Sequence, residues 1–166
     1  MRTTLFIILL FSFSAIQAQD NIKMRAAGLR GGITSGLTYR QFLDPGLAYE
    51  AILSGRAGGL QFTVLRQRFE PALWRIADDF YFTYGYGGHV GWTYTDTYSF
   101  MFREYRHPQR KFSPLVGMDG YMGLEYHFPS IPLQAGIDFK PFFEITLYEL
   151  VRMSVWDVAF TLKYKF

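Results

Sequence analysis

The sequence predicts an all-β protein, an eight-stranded antiparallel up-and-down transmembrane β-barrel, and three observations lead there. An apolar leader opens the chain, the remainder alternates with period two almost throughout, and turn residues cut that alternation into lengths suited to crossing a bilayer. Hydrophobic residues make up 49% of the 166, an ordinary share, but 19% are aromatic, so 17 Phe, 12 Tyr and 3 Trp need a place. That content of rings excludes a disordered chain. With 17 Lys and Arg against 14 Asp and Glu, the net charge of +3 is too small for the dense basic face of a nucleic-acid binder. The absence of cysteine excludes disulfide scaffolds, thiolate metal sites, a cysteine nucleophile and a lipid-modified N-terminal cysteine.

The leader comes first. Met1 and Arg2 give a basic start, Leu5 to Phe13 is apolar apart from Ser12, and Ala15-Ile16-Gln17-Ala18 ends on a small residue. Residues 1–18 therefore read as a secretory signal peptide cut after Ala18. The apolar run is about half the ~20 residues a spanning helix needs. Residues 19–23 read as a short N-terminal tail and 24–166 as the barrel.

Four strands are expected in the first half: Met24 to Ile33, Leu37 to Leu43, Leu47 to Gly55 and Leu60 to Phe69. Thr34-Ser35-Gly36, Asp44-Pro45-Gly46 and Arg56-Ala57-Gly58-Gly59 separate them with turn chemistry. Met24 to Leu43 reads as a hairpin; the alternative is one long bent strand, which would leave seven strands.

Four more follow with clearer alternation. Phe80, Phe82, Tyr84, Tyr86, Val90, Trp92 and Tyr94 oppose Tyr81, Thr83, His89, Thr93 and three glycines. Val116, Met118, Met122, Leu124, Tyr126 and Phe128 oppose Asp119, Tyr121, Glu125 and His127. Leu133, Ala135, Ile137, Phe139, Pro141 and Phe143 oppose Gln134, Asp138, Lys140, Phe142 and Glu144. Ser154, Trp156, Val158, Phe160, Leu162, Tyr164 and Phe166 oppose Val155, Asp157, Thr161, Lys163 and Lys165. Segments of this length match the ~9–11 residues of a tilted membrane strand and exceed the ~5–6 of a usual globular one.

The polarity of the faces bears on the solvent. A soluble lipocalin-like barrel turns its apolar face inward around a ligand and would show Lys and Glu to water. Here the polar face carries Gly, Thr, Gln, Tyr and isolated charges of both signs, suited to a crowded lumen. The apolar face places Trp or Tyr toward strand ends and aliphatic residues at mid-strand, the order of a lipid-facing surface. Strands that span must close, because the bilayer interior offers no water to an open edge. An even strand number then puts both termini on the periplasmic side, with Thr34–Gly36, Arg56–Gly59, Thr95–Leu115 and Ile145–Met153 facing outward.

Three features depart from the pattern. Pro141 cannot donate to a ladder and should mark the outer limit of regular pairing. Arg66 and Arg68 fall on the lipid side, so they snorkel at the periplasmic rim or a bulge resets the phase after Val64. Residues 70 to 79 are long for a periplasmic turn.

The signal peptide, the cysteine-free alternating strands and the terminal Tyr164-Lys165-Phe166 make the chain similar to the small eight-stranded bacterial outer-membrane barrels of the OmpX/OmpA-like type. Gly28-Leu29-Arg30-Gly31-Gly32 and Leu37-Thr38-Tyr39-Arg40 resemble segments of such barrels as well. The resemblance covers the mature chain and is architectural. It implies an outer-membrane monomer whose Tyr164 and Phe166 form the signal read by the outer-membrane assembly machinery, in contact with outer-membrane lipid and lipopolysaccharide.

Inward parity collects Arg30, Arg40, Glu50, Arg56, Asp119, Glu125, Asp138, Lys140, Glu144, Asp157, Lys163 and Lys165. The expectation is a paired polar network that plugs the lumen; the alternative is a polar pathway for a small solute. His89 and His127, also inward, read as hydrogen-bonded core groups rather than metal ligands or general bases. No cofactor, metal or catalytic residue is expected. A lipid-modifying barrel enzyme is the competing class, yet no Gly-x-Ser-x-Gly motif is present, and His107 with Ser99, Ser113 and Glu104 is the one cluster to consider. The 95–115 loop carries Arg103, Arg106, Arg110 and Lys111 among Tyr98, Phe100, Phe102, Tyr105 and Phe112. It is the candidate contact for lipopolysaccharide phosphates.

Overall fold

Antiparallel pairing passes from stave to stave in chain order and returns from the last to the first, closing a barrel. The computed structural model describes residues 24–56, 58–72, 79–100, 103–146, 152–154 and 157–166, the side chains of 95–111 and 152–154 excepted. The leader expected over 1–18, the tail 19–23 and much of the 70–79 connection lie outside the described residues.

The strands are β1 Arg25–Gly32, β2 Ser35–Asp44, β3 Leu47–Arg56, β4 Gly59–Pro71, β5 Phe80–Phe100, β6 Arg103–His127, β7 Leu133–Phe139, β8 Phe142–Thr146, β9 Arg152–Ser154 and β10 Val158–Lys165. β7 and β8 make one stave and β9 and β10 another, so the barrel has eight staves. The break between β7 and β8 falls at Lys140 and Pro141. Proline has no amide proton to donate, but its carbonyl accepts from Gly120 N at 2.8 Å, and Lys140 N donates to Asp157 O at 2.8 Å. Pairing resumes at Phe142, so Pro141 interrupts the stave and does not end it.

The first pair is a hairpin and not a single bent strand. β1 and β2 pair from Arg25↔Gln41 to Arg30↔Gly36, turning at Ile33 and Thr34. β1 then closes the barrel against β10, from Ala26↔Lys165 to Gly32↔Ala159. Arg25 N donates to Phe166 O at 3.0 Å and Phe166 N to Arg25 O at 2.9 Å, so the start of β1 and the residue after β10 meet at one rim, the terminal rim. The 44–47 and 128–132 connections lie at that same terminal rim.

One expected loop is largely strand. The 95–115 segment continues β5 to Phe100 and opens β6 at Arg103, with a register shift between Thr95 and Thr97. β4 stops pairing with β5 at Gly59↔Thr93, and β8 stops pairing with β6 at Leu115↔Thr146. Beyond those points and a last bond from Tyr94 N to Gly58 O at 2.9 Å, the extension, among the described residues, pairs only with itself. Thr95, Thr97, Tyr98, Phe100 and Tyr105 are strong strand formers, which accounts for the ribbon; interleaved arginines hid the alternation from the sequence.

Alternation separates two faces along every stave. Leu29, Leu53, Val90, Ile137 and Leu162 point outward, as do Met118 and Phe160, 72% and 69% exposed. Trp92, Tyr94 and Phe112 stand outward toward the hairpin end, and Tyr49, Tyr164 and Phe166 toward the terminal rim. β4 shows no register shift against β3 or β5, so no bulge resets it and Arg66 and Arg68 stay on the outward face. Inside, Ala26, Phe42, Ala48 and Phe69 pack with Tyr81 near the terminal rim, and Ile52, Leu65 and Tyr121 form a second apolar cluster.

Candidate functional site

The lumen gathers the chain's buried charge. Of the inward residues predicted for the network, Arg30, Arg40, Glu50, Asp119, Glu125, Asp138, Lys140, Glu144, Asp157 and Lys163 are buried, and Arg56 and Lys165 are partly buried. Two ionic groups result.

The first lies toward the terminal rim. Thr38, Arg40, Glu50, Glu125 and Lys163 reach it because inward parity on β2, β3, β6 and β10 brings long side chains to one bore. Arg40 Nε and Nη2 donate to Glu50 Oε2 at 3.0 and 2.6 Å. Its Nη1 and Nη2 donate to Glu125 Oε2 and Oε1 at 2.7 and 2.6 Å. Lys163 Nζ lies 3.2 Å from both Glu50 and Glu125. The Thr38 hydroxyl donates to Glu50. Two cations thus face two carboxylates, the balance a low-dielectric interior demands. Phe69 lies beneath the Arg40 guanidinium, 4.9 Å to the ring centre, a cation–π contact.

The second group runs from β1 to β3 through the opposite wall. Arg30 Nη2 donates to Asp138 Oδ1 at 2.6 Å, and Nη1 lies 3.3 Å from Asp157. Thr34 joins it, accepting from Arg30 and donating its hydroxyl to Asp157 Oδ2 at 2.8 Å. Lys140 Nζ links Asp157 at 3.2 Å to Asp119 at 2.9 Å. His89 Nδ1 is 2.7 Å from Asp119 Oδ2, and its Nε2 is 3.3 Å from Glu144 Oε2. Arg56 completes the chain with Nη1 and Nη2 to Glu144 at 2.6 and 3.0 Å. Asp119 and Glu144 each already hold a cationic side chain, so a metal ion at His89 would have to displace Lys140 or Arg56.

His127 is less enclosed. It stacks on Tyr81 with centroids 4.4 Å apart and lies 3.5 Å from Glu125. Lys165 is half-buried at the terminal rim and shares in neither group. Tyr164 and Phe166 face outward there. Arg103, Arg106, Arg110 and Lys111 lie on the β6 arm of the extended hairpin, but their side chains are outside the described residues, as are those of Ser99, Glu104 and His107.

Sequence reading passed over the polar residues between the charges. Thr34 and Thr38 bind the networks directly, and Gln61 accepts from Arg56 at 3.1 Å and donates to Thr63 at 3.1 Å. Inward parity was the available signal: Thr38 shares the face of Arg40, and Gln61 and Thr63 share the face of Leu65.

The arrangement is a set of cross-bore clamps. Guanidinium forks tie staves that do not pair with each other, and two apolar clusters share the bore with the charges. Compared with protein-family models, curated proteins and solved structures, the chain matches none of them. The likeness to OmpX/OmpA-like barrels therefore rests on architecture and sequence pattern alone.

Proposed function

We propose that this chain is an integral protein of the bacterial outer membrane, exported by an N-terminal signal peptide, with a plugged lumen and a structural or surface-interacting role. The observation that carries the reading is the inversion of polarity. Charged groups are buried and paired inside, while Leu, Val, Met, Phe and Trp side chains cover the outside. Water would disfavour such a surface, because contiguous apolar patches on soluble proteins rarely exceed a few hundred Å²; a bilayer favours it. The reading gives Tyr164 and Phe166 the assembly signal and places the terminal rim in the periplasm.

The β5–β6 extension then rises from the outer leaflet. Arg103, Arg106, Arg110 and Lys111 would meet lipopolysaccharide phosphates, and the interleaved rings would rest at the headgroup level. No catalytic role is proposed.

Fractionation of expressing cells tests the reading. The chain should stay in urea-washed membranes and migrate faster on a gel before boiling than after. Recovery as a soluble periplasmic monomer would instead support the lipocalin-like alternative.

A further inference from the structure

We propose that the outward face of β4 and β5 near the terminal rim holds one glycerophospholipid by its phosphodiester, with Arg66 and Arg68 as the binding groups. The proposal rests on the outer-membrane reading above and adds a ligand site to it.

Arg66 and Arg68 are two residues apart on a strand without a bulge, so both guanidiniums leave the same side of the sheet. Apart from Glu70 beyond Arg68, their strand neighbours on that side are apolar or aromatic. Across β5, Arg66 faces Tyr86 and Arg68 faces Tyr84; across β3, they face Tyr49 and Leu47. Arg66 Nη1 donates to the Tyr86 hydroxyl at 3.3 Å. Arg68 stands beside the Tyr84 hydroxyl, which donates to Glu70 Oε1 at 2.7 Å. Among the described residues neither arginine lies within ion-pair distance of a carboxylate, while the arginines of the lumen all do. Glu70, two residues beyond Arg68, is engaged by Tyr84.

Arg66, Arg68, Tyr84, Gly85 and Tyr86 line a recess of about 270 Å³. Its depth in the membrane follows from the chain: Arg68 pairs opposite Leu47, and Phe69 N donates to Gly46 O at 3.1 Å, in the turn at the terminal rim. This is headgroup level for the leaflet on that side. An arginine on the lipid face costs little there, and two guanidiniums with no carboxylate partner among the described residues ask for an anion. A phosphodiester presents paired oxygens to the guanidinium fork, the tyrosine rings sit at the interface, and the acyl chains can run up the apolar face beyond Val64 and Val90.

Native mass spectrometry of the protein folded in maltoside micelles tests the site. The wild type should retain one phosphatidylglycerol under activation that strips diacylglycerol with the same tails. R66Q/R68Q should lower the retained fraction about tenfold or more, as expected for lost charge-assisted hydrogen bonds, and R66K/R68K should fall between, keeping charge without the fork. Excess inorganic phosphate should not displace the lipid. Equal retention by the wild type and R66Q/R68Q, equal retention of diacylglycerol, or full displacement by phosphate would overturn the lipid site. The gel shift on boiling, read on the same samples, separates the two failures. A heat-modifiable barrel that sheds phosphatidylglycerol sinks this proposal alone, whereas a chain that stays folded and monomeric without detergent sinks the outer-membrane reading and the lipid site with it.

Discussion

Arg40 of β2 grips Glu125 of β6 across the bore with two hydrogen bonds of 2.7 and 2.6 Å, although those strands share no ladder. The same guanidinium holds Glu50 on the neighbouring strand β3. Removing it leaves two buried carboxylates with Lys163 alone between them. Breaking a buried ion pair on one side costs ~3–5 kcal/mol, so R40M should lower the urea midpoint of unfolding strongly. The double variant R40M/E125L should recover part of that loss, since it removes one stranded charge with its partner. A single variant as stable as the wild type would show that the clamp contributes nothing.

Barrel closure makes a second prediction. A side chain at Gly28 would place its Cβ 2.0 Å from the carbonyl oxygen of Leu162, on the β1–β10 seam, while a Cβ at Gly31 meets nothing within 4 Å. The backbone cannot yield there without parting the strands that close the sheet. G28V should abolish the compact, fast-migrating gel form, and G31A should leave it intact. Survival of that form in G28V would mean the seam is looser than the structure has it.

The basic hairpin supplies a third. Neutralising Arg103, Arg106, Arg110 and Lys111 to Gln should weaken binding of lipopolysaccharide micelles, and the wild-type affinity should fall as salt rises, because exposed charge pairs are screened beyond ~8–10 Å. Binding that ignores both the substitutions and the salt would remove the hairpin from the interaction and leave an ordinary solvated ribbon.

How far the fold was legible in the sequence depends on what set each feature. The inward parity of Glu125, Asp138 and Lys163 could be read because one face of each strand was apolar, so any slip in phase would have exposed the mismatch. The β5–β6 extension was hidden because Arg103, Arg106 and Arg110 alternate with nothing consistently apolar, although the ring content there favours strand. The meeting of Arg40 with Glu125 was beyond reach, since contacts across the bore depend on strand stagger and tilt, which one-dimensional pattern does not carry. Pro141 misled for a narrower reason: its missing amide predicts a lost donor, but Lys140 and Gly120 carry the ladder past it.

What touches the outward face separates a bilayer from water, and the absence of cysteine makes it measurable with single spin labels. Labels at Val158, Phe160 and Leu162, with Ser130 in the 128–132 connection as a water-exposed reference, would be read in vesicles for collision with oxygen and with a water-soluble nickel chelate. A lipid-facing surface predicts high oxygen and low nickel accessibility at the three strand positions, oxygen access peaking at Phe160, and the reverse at Ser130. Nickel accessibility at Phe160 equal to that at Ser130 would contradict the account and put water against this face.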